Sequence, residues 1–169
     1  FFNENTNTDK YLIVLITSNR GLCGGYNSQI IKKAISMVKE ESRSEVPVSI
    51  DLITVGKKGD GAMRRTGQSI VASFLEMREN VALRDIIPIS DYIADEFKKG
   101  NYKRIYIAYT NFVSALSQKP VIRKLLPIAK VELKEVIELN IADMSTQEEK
   151  APDKKETPYL LEGETEKLL

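Results

Sequence analysis

Apolar and polar positions alternate along this chain in two different rhythms. Residues 11–17 (YLIVLIT) form an unbroken apolar run rich in β-branched side chains, the signature of a strand covered on both faces, as in a parallel sheet. Residues 27–42 switch to helical spacing: Ile30, Ile31, Ala34, Ile35 and Val38 make one face, and Lys32, Lys33, Lys39 and Glu40 the other. Asn27 or Ser28 is the expected N-cap. After Pro47, residues 48–55 (VSIDLITV) predict a second strand, broken by Gly56, Gly59 and Gly61, with a short basic helix around 62–66. Residues 69–75 fit either a third strand or a short helix, and periodicity does not choose between them. Pro88 is expected to open a helix over 89–99, with Ile89, Ile93, Ala94 and Phe97 as its apolar face and Gly100-Asn101 as its stop. Residues 103–110 (KRIYIAYT) predict a strand. Residues 111–128 predict a turn and an antiparallel edge strand, because Pro120 and Pro127 cannot donate to a central ladder.

This strand–helix alternation predicts an α/β fold: a single domain built on an open, mostly parallel, Rossmann-like sheet with helices on both faces. The domain is expected over residues 1–142, followed by a polar mobile linker over 143–158 (DMSTQEEKAPDKKETP) and a short segment, 159–169, leading into a further helix. The first residue is Phe1 rather than Met, and the last three are Lys167-Leu168-Leu169, so the chain reads as a segment of a longer protein.

Composition narrows the chemistry. The 169 residues hold no histidine, which removes His-based triads and His-ligated metal sites. Cys23 is the one cysteine, so there is no internal disulfide and no CxxC site. The net charge of +1 gives no global drive toward nucleic acid or anionic lipid. No apolar run approaches the roughly 18–20 residues needed to cross a bilayer. The charge is uneven: residues 130–169 carry 11 acidic and 6 basic side chains, so the first 129 hold a net +6.

The most informative stretch is the loop after the first strand, Ser18-Asn19-Arg20-Gly21-Leu22-Cys23-Gly24-Gly25-Tyr26-Asn27. A glycine-rich turn at this place in an α/β fold is where phosphates bind, at a helix N-terminus. A small nucleotide-binding protein using loop 21–25 is therefore the alternative reading. The details disfavour it. Gly25 is not followed by the lysine and hydroxyl of a P-loop, the Gly21, Gly24, Gly25 spacing is not GxGxxG, and Asp51 comes too early in the second strand to reach a ribose. Cys23 at a helix N-terminus could be a nucleophile, but no histidine exists to act as its base.

The same ten residues closely resemble the signature of the F-type ATP synthase gamma subunit, Ser-Asp-Arg-Gly-Leu-Cys-Gly-Gly-x-Asn. Residues 105–128, with the core Gln118-x-Pro120-x-x-Arg123-x-Leu125-Leu126-Pro127, are similar to a later gamma segment, and residues 158–162 (PYLLE) to the segment before its long C-terminal helix. The Gly24-Gly25-Tyr26-Asn27 ending is similar to bacterial members. The resemblance implies a Rossmann-like domain that lies, in the family, between two long helices forming a coiled coil. It implies a non-catalytic rotor part, turning inside the catalytic ring and coupling ion flow to ATP synthesis or hydrolysis. The implied partners are the alpha, beta and epsilon subunits and the membrane c-ring, with no cofactor, no nucleic acid and no membrane insertion. The implied place is peripheral, on the cytoplasmic face of the bacterial inner membrane.

Residue roles implied by the resemblance are few. Arg20 matches the motif arginine near acidic loops of the catalytic ring, where a guanidinium suits carboxylates. Gly21, Cys23, Gly24 and Gly25 match positions that shape the loop. Tyr159, Leu161 and Glu162 match a segment near the membrane ring and epsilon, although Leu161 replaces a common aromatic residue and Gly163 a common proline. Asn19 stands in place of the motif aspartate, which removes a charge beside Arg20. The paired cysteines of the plant-type regulatory insertion are absent.

Overall fold

The structure is a computed structural model. It describes residues 1–128 apart from 6, 22, 24, 78–80, 115 and 116. All of these fall within one compact unit, Phe1–Lys130. The expectations for 129–169, including the linker and the 159–169 segment, lie outside the described residues.

Five strands form one sheet: β1 (Lys10–Ile16), β2 (Ser49–Val55), β3 (Ser69–Phe74), β4 (Arg104–Ser114) and β5 (Ser117–Leu126). Their order is β3-β2-β1-β4-β5, with β1 to β4 parallel and β5 antiparallel beside β4. Three helices complete the fold: α1 (Tyr26–Ser42), α2 (Lys57–Arg65) and α3 (Leu83–Lys98). The chain moves outward through β1-α1-β2-α2-β3, then crosses the other face through α3 to β4. Strand order thus reverses between β1 and β4, the place where α/β sheets open a crevice at the carboxyl ends of their strands.

The two faces follow from the alternation within β1. Tyr11, Ile13 and Leu15 pack with Ile50 and Leu52 against Ile30 and Ala34 of α1 and Met63 of α2. Leu12 and Val14 pack with Ile53, Val55 and Ile105 against Ile89, Ile93 and Phe97 of α3. Because both faces are covered, β1 carries no polar position between Tyr11 and Ile16.

Several local expectations change. The residues at 69–74 are a strand, and its alternating burial reflects its place at the sheet edge. The second helix starts at Lys57 rather than near 62, so Gly59 and Gly61 lie inside it and do not break it. The break falls at Gly56, whose φ of 95° only glycine adopts readily and whose Cβ would lie 2.1 Å from the Thr17 carbonyl oxygen. Helix α3 begins at Leu83, and Pro88 lies inside it, which removes one backbone bond near the N-terminus. Its start is fixed instead by Asp85, whose Oδ2 accepts the Ala82 N–H at 2.9 Å. The N-cap of α1 is Gly25, with no side-chain cap; Asn27 is buried within the helix and does other work. Strand β4 runs to Ser114, so the turn to β5 comes later than 111. Pro120 lies on the edge strand β5, opposite Thr110.

Candidate functional site

The site is the set of loops at the carboxyl ends of β1, β2 and β3, together with the groove they border. Its foundation is Thr17, buried just past β1. The Thr17 N–H donates to the Val55 carbonyl at 2.8 Å, and its Oγ1 accepts the Gly59 N–H at 2.9 Å. The hydroxyl faces the Val55 and Gly56 carbonyls at 3.2 and 3.3 Å and donates there. A Cβ on Gly59 would sit 2.9 Å from the Thr17 side chain. A glycine is therefore needed for the start of α2 to approach β1 this closely.

Above this lies the glycine-rich loop, organised by Asn27. Its Oδ1 accepts the Ser18 N–H at 3.0 Å, and its Nδ2 donates to Ser18 Oγ at 2.8 Å and to Cys23 Sγ at 3.0 Å. Ser18 Oγ donates to the Arg20 carbonyl at 2.7 Å. One buried amide therefore holds the strand end, the loop and the helix start together. The Ser18 N–H, which a phosphate-binding turn would offer to a ligand, is committed to Asn27. Cys23 is half-buried, with its sulfur accepting from this amide.

Asn19 joins the loop to its neighbours. Its Oδ1 accepts the Lys57 N–H at 3.0 Å, and its Nδ2 donates to the Met77 carbonyl at 3.1 Å. A carboxylate could make the first of these bonds but not the second. The exchange of the motif aspartate for Asn19 thus brings a link between the loops after β1 and β3, in addition to removing a charge. Arg20 and Gly21 are exposed on this loop, and Lys58 lies over it, its Nζ 3.3 Å from where a Gly21 Cβ would be. Gly25 has an ordinary φ of −75°. Gly24, Tyr159, Leu161 and Glu162 lie outside the described residues.

Next to the loop, α3 and the sheet enclose a groove of about 1120 Å³. Val14, Ile16, Ile86, Ile89, Leu125 and Ile128 supply much of its largely apolar wall, and Ser18, Asn19 and Arg20 form part of its rim. The hydrophobic side chains exposed nearby on α3 are Leu83, Ile86 and Ile87. Sequence reasoning missed this groove, because the helical repeat was read only from Ile89 onward. The signal was present in Leu83, Ile86 and Ile87, apolar positions ahead of Ile89 that one sheet face does not require.

Two charged clusters support the frame. Asp60 of α2 accepts from Arg64 Nε at 2.8 Å, Ser73 Oγ at 2.7 Å and Thr54 Oγ1 at 2.8 Å. The Arg64 guanidinium, with the two hydroxyls, holds its carboxyl down at about 2 against desolvation. At the opposite end of the sheet, Asp51 accepts from Ser69 Oγ at 2.7 Å and from the Tyr102 hydroxyl at 3.1 Å. Burial and this carboxylate push the Tyr102 hydroxyl well above its ordinary value. Asp51 is thus a structural residue remote from the glycine-rich loop. Among the described residues no group of three or more Cys, Asp or Glu is arranged to hold a metal, and no helix is long and apolar enough to cross a membrane.

An ATP synthase gamma chain from Pelotomaculum thermopropionicum is 36% identical over 118 residues, covering 70% of this chain and 40% of that one. One from Dehalococcoides mccartyi is 40% identical over 124 residues, covering 73% and 42%. The chain therefore spans about two fifths of the length of these curated relatives. Among solved structures, the Tetrahymena thermophila mitochondrial ATP synthase central stalk and c-ring contains a chain with a TM-score of 0.54 and 26% identity, matched over 74% of this chain and 53% of that one. The Euglena gracilis mitochondrial ATP synthase rotor shares the fold, with a TM-score of 0.53 at 21% identity over 93% of this chain and 50% of that one. Residues 1–169 match the family described as ATP synthase from end to end, and with these relatives the match places the chain in the ATP synthase gamma family.

Proposed function

We propose that this chain is the globular domain of an ATP synthase central-stalk subunit, acting as a rotor part that transmits torque and has no active site of its own. The observation that carries the reading is the glycine-rich loop: Ser18 to Asn27 resembles the family signature at every position but Asn19, and Ser18, Asn19 and Asn27 hold three strand ends together. A part that passes force between neighbours needs such a loop to be stiff. In this reading Arg20 meets acidic loops of the catalytic ring of alpha and beta subunits, while epsilon and the membrane c-ring dock elsewhere, both near Tyr159, Leu161 and Glu162. The apolar groove along α3 is covered in the whole subunit by its long flanking helices, and rotation driven by ion flow is coupled through them to ATP synthesis or hydrolysis. The complex then sits on the cytoplasmic face of a bacterial inner membrane, with this domain peripheral to it.

The test uses a gamma chain carrying this sequence, reconstituted into ATP synthase in vesicles. Arg20→Glu should reduce ATP-driven ion pumping far more than ATP hydrolysis, with the domain still folded. Unchanged coupling would remove Arg20 from the mechanism. The isolated chain should neither hydrolyse ATP nor release heat on mixing with it. Saturable micromolar binding of ATP or NAD, lost in Gly24→Val, would replace the rotor reading with the nucleotide-binding one.

A further inference from the structure

The β4–β5 hairpin reaches beyond the sheet that supports it. β4 pairs with β1 only as far as Leu15 opposite Ala108, yet it continues to Ser114 with β5 as its neighbour. Two bonds hold the last supported turn to α1: Thr110 Oγ1 donates to the Tyr26 carbonyl at 2.8 Å, and Lys33 Nζ donates to the Pro120 carbonyl at 3.0 Å. Past Thr110 the strand from Asn111 to Ser114 is exposed throughout, an extension on the order of 13 Å.

This extension carries two large apolar side chains in sequence, Phe112 at 63% exposure and Val113 at 59%. Neighbouring residues of a regular strand point to opposite faces. Here the register shifts between Phe112, opposite Gln118, and Ser114, opposite Ser117, so Val113 has no residue across from it. A bulge of this kind re-aims a side chain and is common where a strand ends in a working surface. An exposed Phe and Val at the end of a finger have no role in the core of this domain.

Charge gives the partner's chemistry. The hairpin strands contain no acidic residue, and the cations nearest the extension are Lys119, opposite Asn111, and Lys33, whose Nζ meets the Pro120 carbonyl; Arg123 and Lys124 lie farther back, opposite Ile107 and Tyr106. Arg104, the one cation of β4, is committed at the far end of the strand to Glu4, 2.6 Å away. A second copy of this chain would bring like charges together, which disfavours self-pairing. Stacking on nucleic acid would employ Phe112 but not the aliphatic Val113, whereas an apolar recess in a protein takes both.

We propose that the β4–β5 hairpin is a docking finger for an acidic protein surface: Phe112 and Val113 enter an apolar recess, and Lys119, with Lys33 behind it, faces carboxylates around it. The inference rests on the central-stalk reading, and the partner is then another subunit of the assembly. The experiment places a benzophenone amino acid at position 112 of the gamma chain in the assembled complex. The expected result is a crosslink to one other subunit, within a peptide rich in Asp and Glu, with a yield that falls several-fold at high salt. No crosslink, a product within the gamma chain itself, or one to nucleic acid would overturn it. Phe112→Ser combined with Val113→Ser should weaken association with that subunit roughly tenfold while leaving the thermal melt in place, since both side chains are exposed; unchanged association overturns the proposal. If the gamma chain enters no ATP synthase at all, the central-stalk reading fails and this inference falls with it, whereas entry with an unreactive hairpin sinks the hairpin alone.

Discussion

The two faces of this sheet are built from one set of strands and finish differently. On the face of α1 and α2, Ile30, Ala34 and Met63 are fully buried against β1 and β2. On the face of α3, Ile89, Ile93 and Phe97 reach the sheet, but Leu83, Ile86 and Ile87 remain exposed beside a groove of about 1120 Å³. The first face is complete in itself. The second has more apolar surface than its own helix covers, which is what a surface meant for additional chain or a partner looks like. Four measurements would break or sharpen this contrast.

The largest effect belongs to the closed face. Ile30→Ala should cost about 3–4 kcal/mol in urea unfolding, the sum of lost burial and a cavity that α1, β1 and α2 cannot close. A cost below about 1 kcal/mol would mean that this face is as loosely filled as the other.

A smaller effect comes from the polar clamp on the same face. Asp60, Arg64, Thr54 and Ser73 tie α2 to β2 and β3. The folded carboxyl titrates at about 2, below its ordinary 3.8, so its contribution is present above that ordinary value and is lost as pH falls through the folded value. Asp60→Asn should therefore lower stability by about 2 kcal/mol at neutral pH, with the difference from the parent shrinking as the pH drops from about 4 to about 2. A difference that stayed constant with pH would show that the carboxylate charge is not what the clamp uses.

How much of this could be read from the residues depends on which neighbour decides each position. The unbroken apolar runs of β1 and β2 and the spacing of Ile30, Ala34 and Val38 act within their own elements, so the parallel sheet and α1 were legible. The antiparallel edge strand was legible because Pro120 excludes a central place. The start of α2 was not, because Gly59 belongs to a helix only where Thr17, 42 residues earlier, accepts its N–H. The role of Asn27 was misassigned to a cap for the same reason: its partners Ser18 and Cys23 lie in the loop before it. The Ser18–Asn27 motif pointed to the family, but the groove beside it depends on how α3 lies across the strands, which no local pattern states.

Next in size is the open face itself. Ile89→Ala removes as many atoms as Ile30→Ala, but Ile89 borders the groove, so little new cavity is created. Its cost should be about 1–2 kcal/mol, near the transfer component alone. Amide exchange should agree, with α3 opening at lower free energy than α1. Equal costs for the two isoleucines, or equal protection of the two helices, would erase the distinction between the faces.

The smallest stability change should come with the largest change in surface behaviour. Leu83 and Ile87 are 75% and 46% exposed, so Leu83→Ser with Ile87→Ser should shift the unfolding free energy of this chain by no more than about 0.5–1 kcal/mol. These side chains nevertheless lie on α3 next to Ile86, which lines the groove. The parent should bind an apolar fluorescent dye and self-associate at high concentration, and the double variant should do both much less. In the whole gamma chain the order reverses: if the flanking helices cover this face, the same two substitutions become core changes and should cost several times more than in the isolated domain. A cost that is the same in both contexts would mean that nothing packs on α3, and that the open face is only the edge of an ordinary surface.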